Sequence, residues 1–142
     1  MDHPDSTGPA LLMLLDLAHQ AALHAYAPYS SFRVGAALRL TNGETVTGAN
    51  VENASYGLTI CAERSALVRA VSQFGPEIRI DAVAVANRNQ ASCPPCGACL
   101  QTLAEFIQRD APVIFPSGEG ERVLPFRELF PLAFEVKGNK KL

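Results

Sequence analysis

Long apolar runs are missing from this sequence. The most hydrophobic stretch, Ala10 to Leu15, ends at Asp16, far short of the roughly 20 apolar residues that a membrane-spanning helix needs. No Lys or Arg precedes it and no small-residue cleavage site follows it, so it reads as an amphipathic helix and no secretory leader is expected. A basic stripe is missing as well. The formal charge is −2, the pI about 5.9, and the one basic cluster is Lys137, Lys140 and Lys141 near the end. Nucleic-acid binders neutralise phosphates with clustered Lys and Arg, so no nucleic acid is expected as a partner, and no membrane. A small polar ligand fits better. Repeats, linkers and low-complexity segments are also absent, and 142 residues match one compact domain. A single domain spanning 1–142 is expected, with 1–6 and 138–142 frayed. His3, His19 and His24 lie in the N-terminal region and show no metal-ligand spacing.

The chain is 48% hydrophobic and 18% charged, enough for a filled core. A helix capped at Ser6 or Thr7, with Pro9 in its first turn, is expected from Leu11, Leu14, Leu15, Ala18 and Ala22, and it ends before Pro28. Val34 to Leu40 reads as a buried strand, Asn42-Gly43 as a two-residue hairpin turn, and Thr45 to Val51 as the returning strand. A helix from Cys61 to Phe74 closes at Gly75-Pro76. Ile78 to Ala86 is apolar on both faces, as a fully covered strand requires. A polar segment, Asn87 to Pro95, leads to a helix from Cys96 or Gly97 to Gln108. Strands at Val113–Phe115 and Arg122–Leu124 flank a turn at Ser117–Gly120, and a short helix covers Phe126–Phe130. The order α-β-β-α-β-α-β-β-α predicts an α/β domain: one mixed sheet with helices on both faces.

The chain is expected in the cytoplasm, where thiols stay reduced, so its four cysteines call for an explanation other than disulfides. Cys93, Cys96 and Cys99 fall in one seven-residue window, a metal-site spacing rather than a disulfide framework. Cys61 opens one predicted helix, and Cys96 and Cys99 open another. At a helix N-terminus the unpaired N–H groups and the dipole favour thiolate, the form that binds metal. Three thiolates on Zn²⁺ would leave the fourth tetrahedral position free, as a catalytic site requires. Glu63, two residues after Cys61, is a carboxylate near the metal but not needed to bind it. It could take a proton from water at the metal and pass it to a leaving group.

Cys61-Ala62-Glu63 followed by Pro95-Cys96-Gly97-Ala98-Cys99 resembles the zinc nucleobase deaminases in their three-cysteine form. Tyr29-Ser30-Ser31-Phe32-Arg33-Val34-Gly35-Ala36-Ala37 and Asn50-Val51-Glu52-Asn53-Ala54-Ser55-Tyr56 extend the likeness to the small homotetrameric cytidine deaminases, from about Tyr26 to Phe134. The resemblance implies a three-layer αβα fold around a mixed five-stranded sheet. It implies one Zn²⁺ per subunit on Cys61, Cys96 and Cys99, with Glu63 as the catalytic proton carrier. It also implies hydrolysis of cytidine and 2′-deoxycytidine to the uridines and ammonia, in pyrimidine salvage. Asn50 and Glu52 match the pair that holds a ribose hydroxyl, and Phe32 the aromatic against the nucleoside. The Ala62 N–H matches a donor to the pyrimidine carbonyl. Phe134 and Tyr56 match aromatics shared between the active sites of a homotetramer. Arg64, with Gln101 nearby, matches a cation set against the sulfurs. Zn²⁺ with three thiolates carries a net charge near −1, which would weaken its acidity unless a guanidinium offsets it.

Two positions depart from the family pattern. Leu100 stands where an Arg often follows the last cysteine, and Cys93 adds a second C-x-x-C, leaving the choice of ligand pair open. The rival to a catalytic centre is a structural site using all four cysteines. A second rival keeps the fold and changes the substrate to a free base or a nucleoside analogue; for free cytosine, Asn50 and Glu52 would have no sugar to hold.

Overall fold

The computed structural model describes residues 8–136. Its elements run α1 (Pro9–Ala22), β1 (Val34–Leu40), β2 (Thr45–Ala49), a short 3₁₀ turn (Tyr56–Leu58), α2 (Ala62–Phe74), β3 (Ile80–Asn87), α3 (Gly97–Ala104), β4 (Pro112–Ser117), β5 (Gly120–Pro125) and α4 (Phe126–Leu129). The five strands form one sheet in the order β2-β1-β3-β4-β5. Only β3 and β4 pair in parallel; the other pairs are antiparallel, so the expected mixed sheet of five strands is what the chain builds. The parallel step needs a crossover, and α3 is that crossover.

The sheet is covered on both sides because β3 alternates two kinds of apolar residue. Ala82, Ala84 and Ala86 join Leu11, Leu14, Leu15 and Ala18 of α1 in one buried cluster. Val83 and Val85 face the larger cluster with Ala62, Ala66, Leu67 and Ala70 of α2 and Leu100 and Leu103 of α3. Side chains alternate across a strand, so the small set admits α1 closely while the branched set fills the space under α2 and α3. Leu14, Leu38, Ile80, Ile107 and Phe126 are fully buried, each stabilising by about 1.5–3 kcal/mol relative to exposure.

Glycines set the closest approaches. A Cβ at Gly35 would lie 2.0 Å from the Ala18 carbonyl oxygen of α1, and one at Gly48 would lie 2.4 Å from the Ala66 nitrogen and 2.7 Å from the Ala62 carbonyl oxygen of α2. Both helices therefore rest on bare strand backbone.

Strand and helix ends shift by up to two residues elsewhere, and four differences from expectation have a specific structural setting. Gly8 is the N-cap of α1 and makes no side-chain cap; Ser6 and Thr7 lie outside the described residues, as do the ends expected to fray, 1–6 and 138–142. The hairpin loop has three residues rather than two: Arg39 pairs with Thr45, the Leu40 N–H reaches the Glu44 carbonyl, and Gly43 takes φ 91°. β2 stops at Ala49, because Asn50 turns its amide onto β1 and Val51 bridges instead to Tyr26 and Ile60. α3 ends at Ala104, four residues early. Ile107 fits the helical stripe but bridges to Ile80, whose N–H and carbonyl bond to Phe106 and Gln108; tertiary pairing overrides the periodicity. No helix among the described residues is long and apolar enough to cross a membrane.

Candidate active site

The N-termini of α2 and α3 meet on one side of the sheet, where the two helices pack together. Cys61 is the N-cap of α2 and Cys96 the N-cap of α3, both with extended backbone. Cys99 follows one turn into α3 and is fully buried. The three Sγ atoms lie within 4.8 Å of one another. Zn–S bonds of about 2.3 Å in a tetrahedron put sulfurs about 3.8 Å apart, so a small closure brings all three onto one ion. The donor chemistry fits as well. Cys61 is drawn down to about 5, first by a hydrogen bond from Cys99 and then by Arg64, while Cys99 is pushed up by the same contact. One sulfur is thus a thiolate held by its neighbour's proton, and a divalent cation would take that proton's place.

Cys93 is not in this group. Its N–H donates to the Pro116 carbonyl at 3.0 Å, its side chain packs against the main core, and burial pushes its thiol up to about 11. The four-cysteine site that spacing allows is not assembled. Leu100 is buried in the same core; it answers the missing Arg with packing.

Glu63 stands in the first turn of α2 and is only 4% exposed. Burial drives its carboxyl upward from its ordinary range, with the Cys61 charge adding to that. A carboxyl pushed upward in this way holds its proton more readily than an exposed one, which suits it to general acid–base work. Arg64 lies beside it. Its Nη2 donates to Cys61 Sγ at 3.4 Å, its Nε is buried without a hydrogen-bond partner, and the sulfurs raise its pKa. Ala62, fully buried, begins the helix, and a first-turn N–H has no intrahelical partner.

The expected sugar-binding residues form a second group, joined by hydrogen bonds. Asn50 is buried; its Oδ1 accepts the Val34 N–H at 2.8 Å and its Nδ2 donates to the Phe32 carbonyl at 2.8 Å. Phe32 is half-buried against the main core. Glu52 Oε1 accepts the N–H groups of Tyr29 and Ser30 at 3.0 and 3.2 Å, and Oε2 accepts the Ser30 hydroxyl. That hydroxyl lowers the Glu52 pKa.

Gln101 does not donate to a sulfur. Its Nε2 binds the Phe134 carbonyl at 3.0 Å, so it ties the C-terminal segment to α3. The Phe134 ring is 70% exposed and Tyr56 86% exposed; neither ring is buried within this chain. Sequence reasoning passed over Ser30, Gly48 and Arg109, whose guanidinium holds the Phe130 and Pro131 carbonyls at 3.3 and 3.2 Å. For Ser30 a signal existed: a serine two residues before Phe32 can make the local side-chain turn seen here, accepting the Phe32 N–H at 3.0 Å.

Residues 11–115 match the family model described as the cytidine and deoxycytidylate deaminase zinc-binding region. The chain is 46% identical over 126 residues to a cytidine deaminase of Halalkalibacterium halodurans, covering 88% of this chain and 94% of that one. A crystal structure of cytidine deaminase from Burkholderia pseudomallei superposes with a TM-score of 0.78 at 39% identity, over 94% of this chain and all of the other (100%). The Mycobacterium tuberculosis enzyme gives 0.74 at 39%, over 88% and 97%.

Proposed function

The chain belongs to the cytidine and deoxycytidylate deaminase zinc-binding family, and from that membership we propose how its residues carry out the hydrolytic deamination of cytidine to uridine and ammonia. The observation that carries the reading is a buried carboxylate, Glu63, in the first turn of α2 two residues after Cys61, one of three thiols grouped closely enough to hold a metal. Cys61, Cys96 and Cys99 hold Zn²⁺, which supplies the Lewis acidity that lets water act as a nucleophile at neutral pH. Glu63 accepts the proton that the attacking water gives up at C4 of the cytosine ring. It delivers that proton to N3, then carries the second proton, from the hydroxyl newly added at C4, to the departing amino group as the C4–N bond breaks and the C4 carbonyl forms, so that one water is consumed and one ammonia released. Burial raises its pKa and so favours the protonated form between these transfers. Arg64 offsets the surplus negative charge of the three thiolates.

The Ala62 N–H donates to the pyrimidine carbonyl. Asn50 and Glu52 meet the ribose hydroxyl and Phe32 packs against the nucleoside, an arrangement that accepts 2′-deoxycytidine as well. Supporting this, Asn50 bonds Phe32 directly and Glu52 is joined to Phe32 through the Ser30 hydroxyl. Gln101, bound to the carbonyl of Phe134, orients the C-terminal segment. The chain works as a homotetramer with shared sites, to which Tyr56 and Phe134 contribute. Exposed Tyr26, Val51, Leu58, Ile60 and Val68, together with those two rings, supply apolar surface for such contacts. Four free thiols suit the cytoplasm, where the reaction serves pyrimidine salvage.

The test is the ultraviolet change of cytidine mixed with zinc-loaded protein, with ammonia measured in the same sample and particle mass by light scattering. Equal uridine and ammonia from a tetramer are expected. A folded, zinc-loaded sample inert toward cytidine and deoxycytidine would overturn the mechanism, and an active monomer the shared-site arrangement.

A further inference from the structure

The turn that precedes β1 carries a hydroxyl that the chemistry above leaves unused. Ser30 Oγ donates to Glu52 Oε2 and accepts the Phe32 N–H. Phe32 is therefore held at both backbone ends, by Ser30 at its N–H and by Asn50 at its carbonyl. The turn is itself tightly specified. Ser31 sits at φ 61°, which L residues seldom adopt, while its N–H bonds to the Ala27 carbonyl and its carbonyl accepts Asn89 Nδ2 at 3.0 Å.

We propose that Ser30 is a positioning residue for the nucleoside: one hydroxyl sets the distance between the Glu52 carboxylate and Phe32, and thereby the affinity for substrates that carry a sugar. The proposal rests on the reading that Glu52 and Phe32 contact the nucleoside. Glutamate on a surface loop has three rotatable bonds to fix, and substrate affinity falls by whatever that fixing costs at the moment of binding. Here two donors occupy Oε1 and one occupies Oε2, so the carboxylate is oriented beforehand and still has an acceptor site on Oε2 for a substrate hydroxyl. Because Ser30 touches neither the sulfurs nor Glu63 in any of these bonds, it acts on binding and leaves the chemical step alone.

The experiment compares S30A, S30T, E52Q and S30A/E52Q, each checked for native circular dichroism and zinc content. S30A is expected to raise KM for cytidine about tenfold, the usual scale for one hydrogen bond to a charged group, with kcat within about twofold of native. S30T, which keeps the hydroxyl, stays near native, and S30A adds nothing on the E52Q background. Four results would overturn the proposal: S30A lowering kcat at native KM, S30T failing as badly as S30A, S30A costing as much on E52Q as on native, or S30A at native KM while E52Q is impaired. E52Q at native KM would remove the reading beneath it, and the proposal with it.

Discussion

Arg64 donates from Nη2 to Cys61 Sγ across 3.4 Å, one turn along the helix that Cys61 caps. The metal-free protein offers a direct test of that bond. The Cys99 contact and then Arg64 hold Cys61 down to about 5, so its thiolate persists above pH 5 and its alkylation should slow only as pH falls through that value. R64Q removes one of these supports, leaving the Cys99 and Cys96 contacts. The midpoint of the pH–alkylation curve, followed by mass spectrometry at Cys61, should move upward toward the ordinary thiol value near 8.5. In the zinc-loaded enzyme the acidic limb of the pH–rate profile should shift to higher pH. An unmoved midpoint in R64Q would remove Arg64 from the electrostatics of the site.

In the proposed mechanism Glu63 and the thiols divide the labour, and substitution should separate them. E63Q keeps the shape and removes the proton carrier, so kcat should fall at least by the roughly 10²–10⁴ of general acid–base catalysis, with zinc content unchanged. Since burial raises the Glu63 pKa, ionising it in the folded state is unfavourable. The metal-free native enzyme therefore loses stability as pH rises from the unfolded value of 4.5 toward the raised folded one, and E63Q should lack that decline. Chemical denaturation at several pH values measures this directly. Parallel curves for the two proteins would count against a buried, proton-retaining carboxyl.

Cys93 and Cys99 have opposite surroundings although both follow a C-x-x-C pattern. Cys93 packs on the core outside the three-sulfur group, and Cys99 sits inside it. C93S should bind one zinc per chain and keep near-native activity, with about 1 kcal/mol or less lost in stability. C99S should lose the metal and the activity together. Plasma emission for zinc on both proteins, after dialysis against a weak chelator, distinguishes them; zinc loss from C93S would restore the four-cysteine reading.

How much of this was legible beforehand depends on where each constraint comes from. The grouping of the three sulfurs, the place of Glu63 in the turn after Cys61 and the order of elements were readable because motif and periodicity are local: Cys61 and Cys96 cap helices whose apolar stripes follow at once. The end of α3 was not, because Ile107 continues the stripe while its pairing partner, Ile80, is 27 residues away. Leu100 looked like a missing charge and is a core residue, a distinction that only the neighbouring Val85 and Leu103 side of the cluster supplies. Gln101 was placed only near Arg64, and its bond to the Phe134 carbonyl is a contact with no trace in spacing. Gly48 gave no signal at all, since its need for a bare backbone arises from a helix that begins 14 residues later.

Gly48 and Gly35 make a matched pair for asking what α2 does beyond packing. Each lies under a helix so closely that a Cβ would meet backbone at 2.4 and 2.0 Å, and backbone cannot step aside as a side-chain tip can. G48A must therefore lift or tilt α2, whose first turn carries Ala62, Glu63 and Arg64 behind Cys61. G35A must do the same to α1, which packs on the other face of the sheet with a different cluster and bears none of the site residues. Overpacking of this kind costs typically about 1–3 kcal/mol or more, so both variants should unfold at lower denaturant. Only G48A should also release zinc faster to a chelator and lose kcat, because a shift of about 1 Å at a catalytic group can cost about 10²-fold. The comparison is made at a temperature where both remain folded by circular dichroism. Equal zinc release from the two would mean that α2 tolerates displacement, and that the site is held by α3 and the metal rather than by the contact at Gly48.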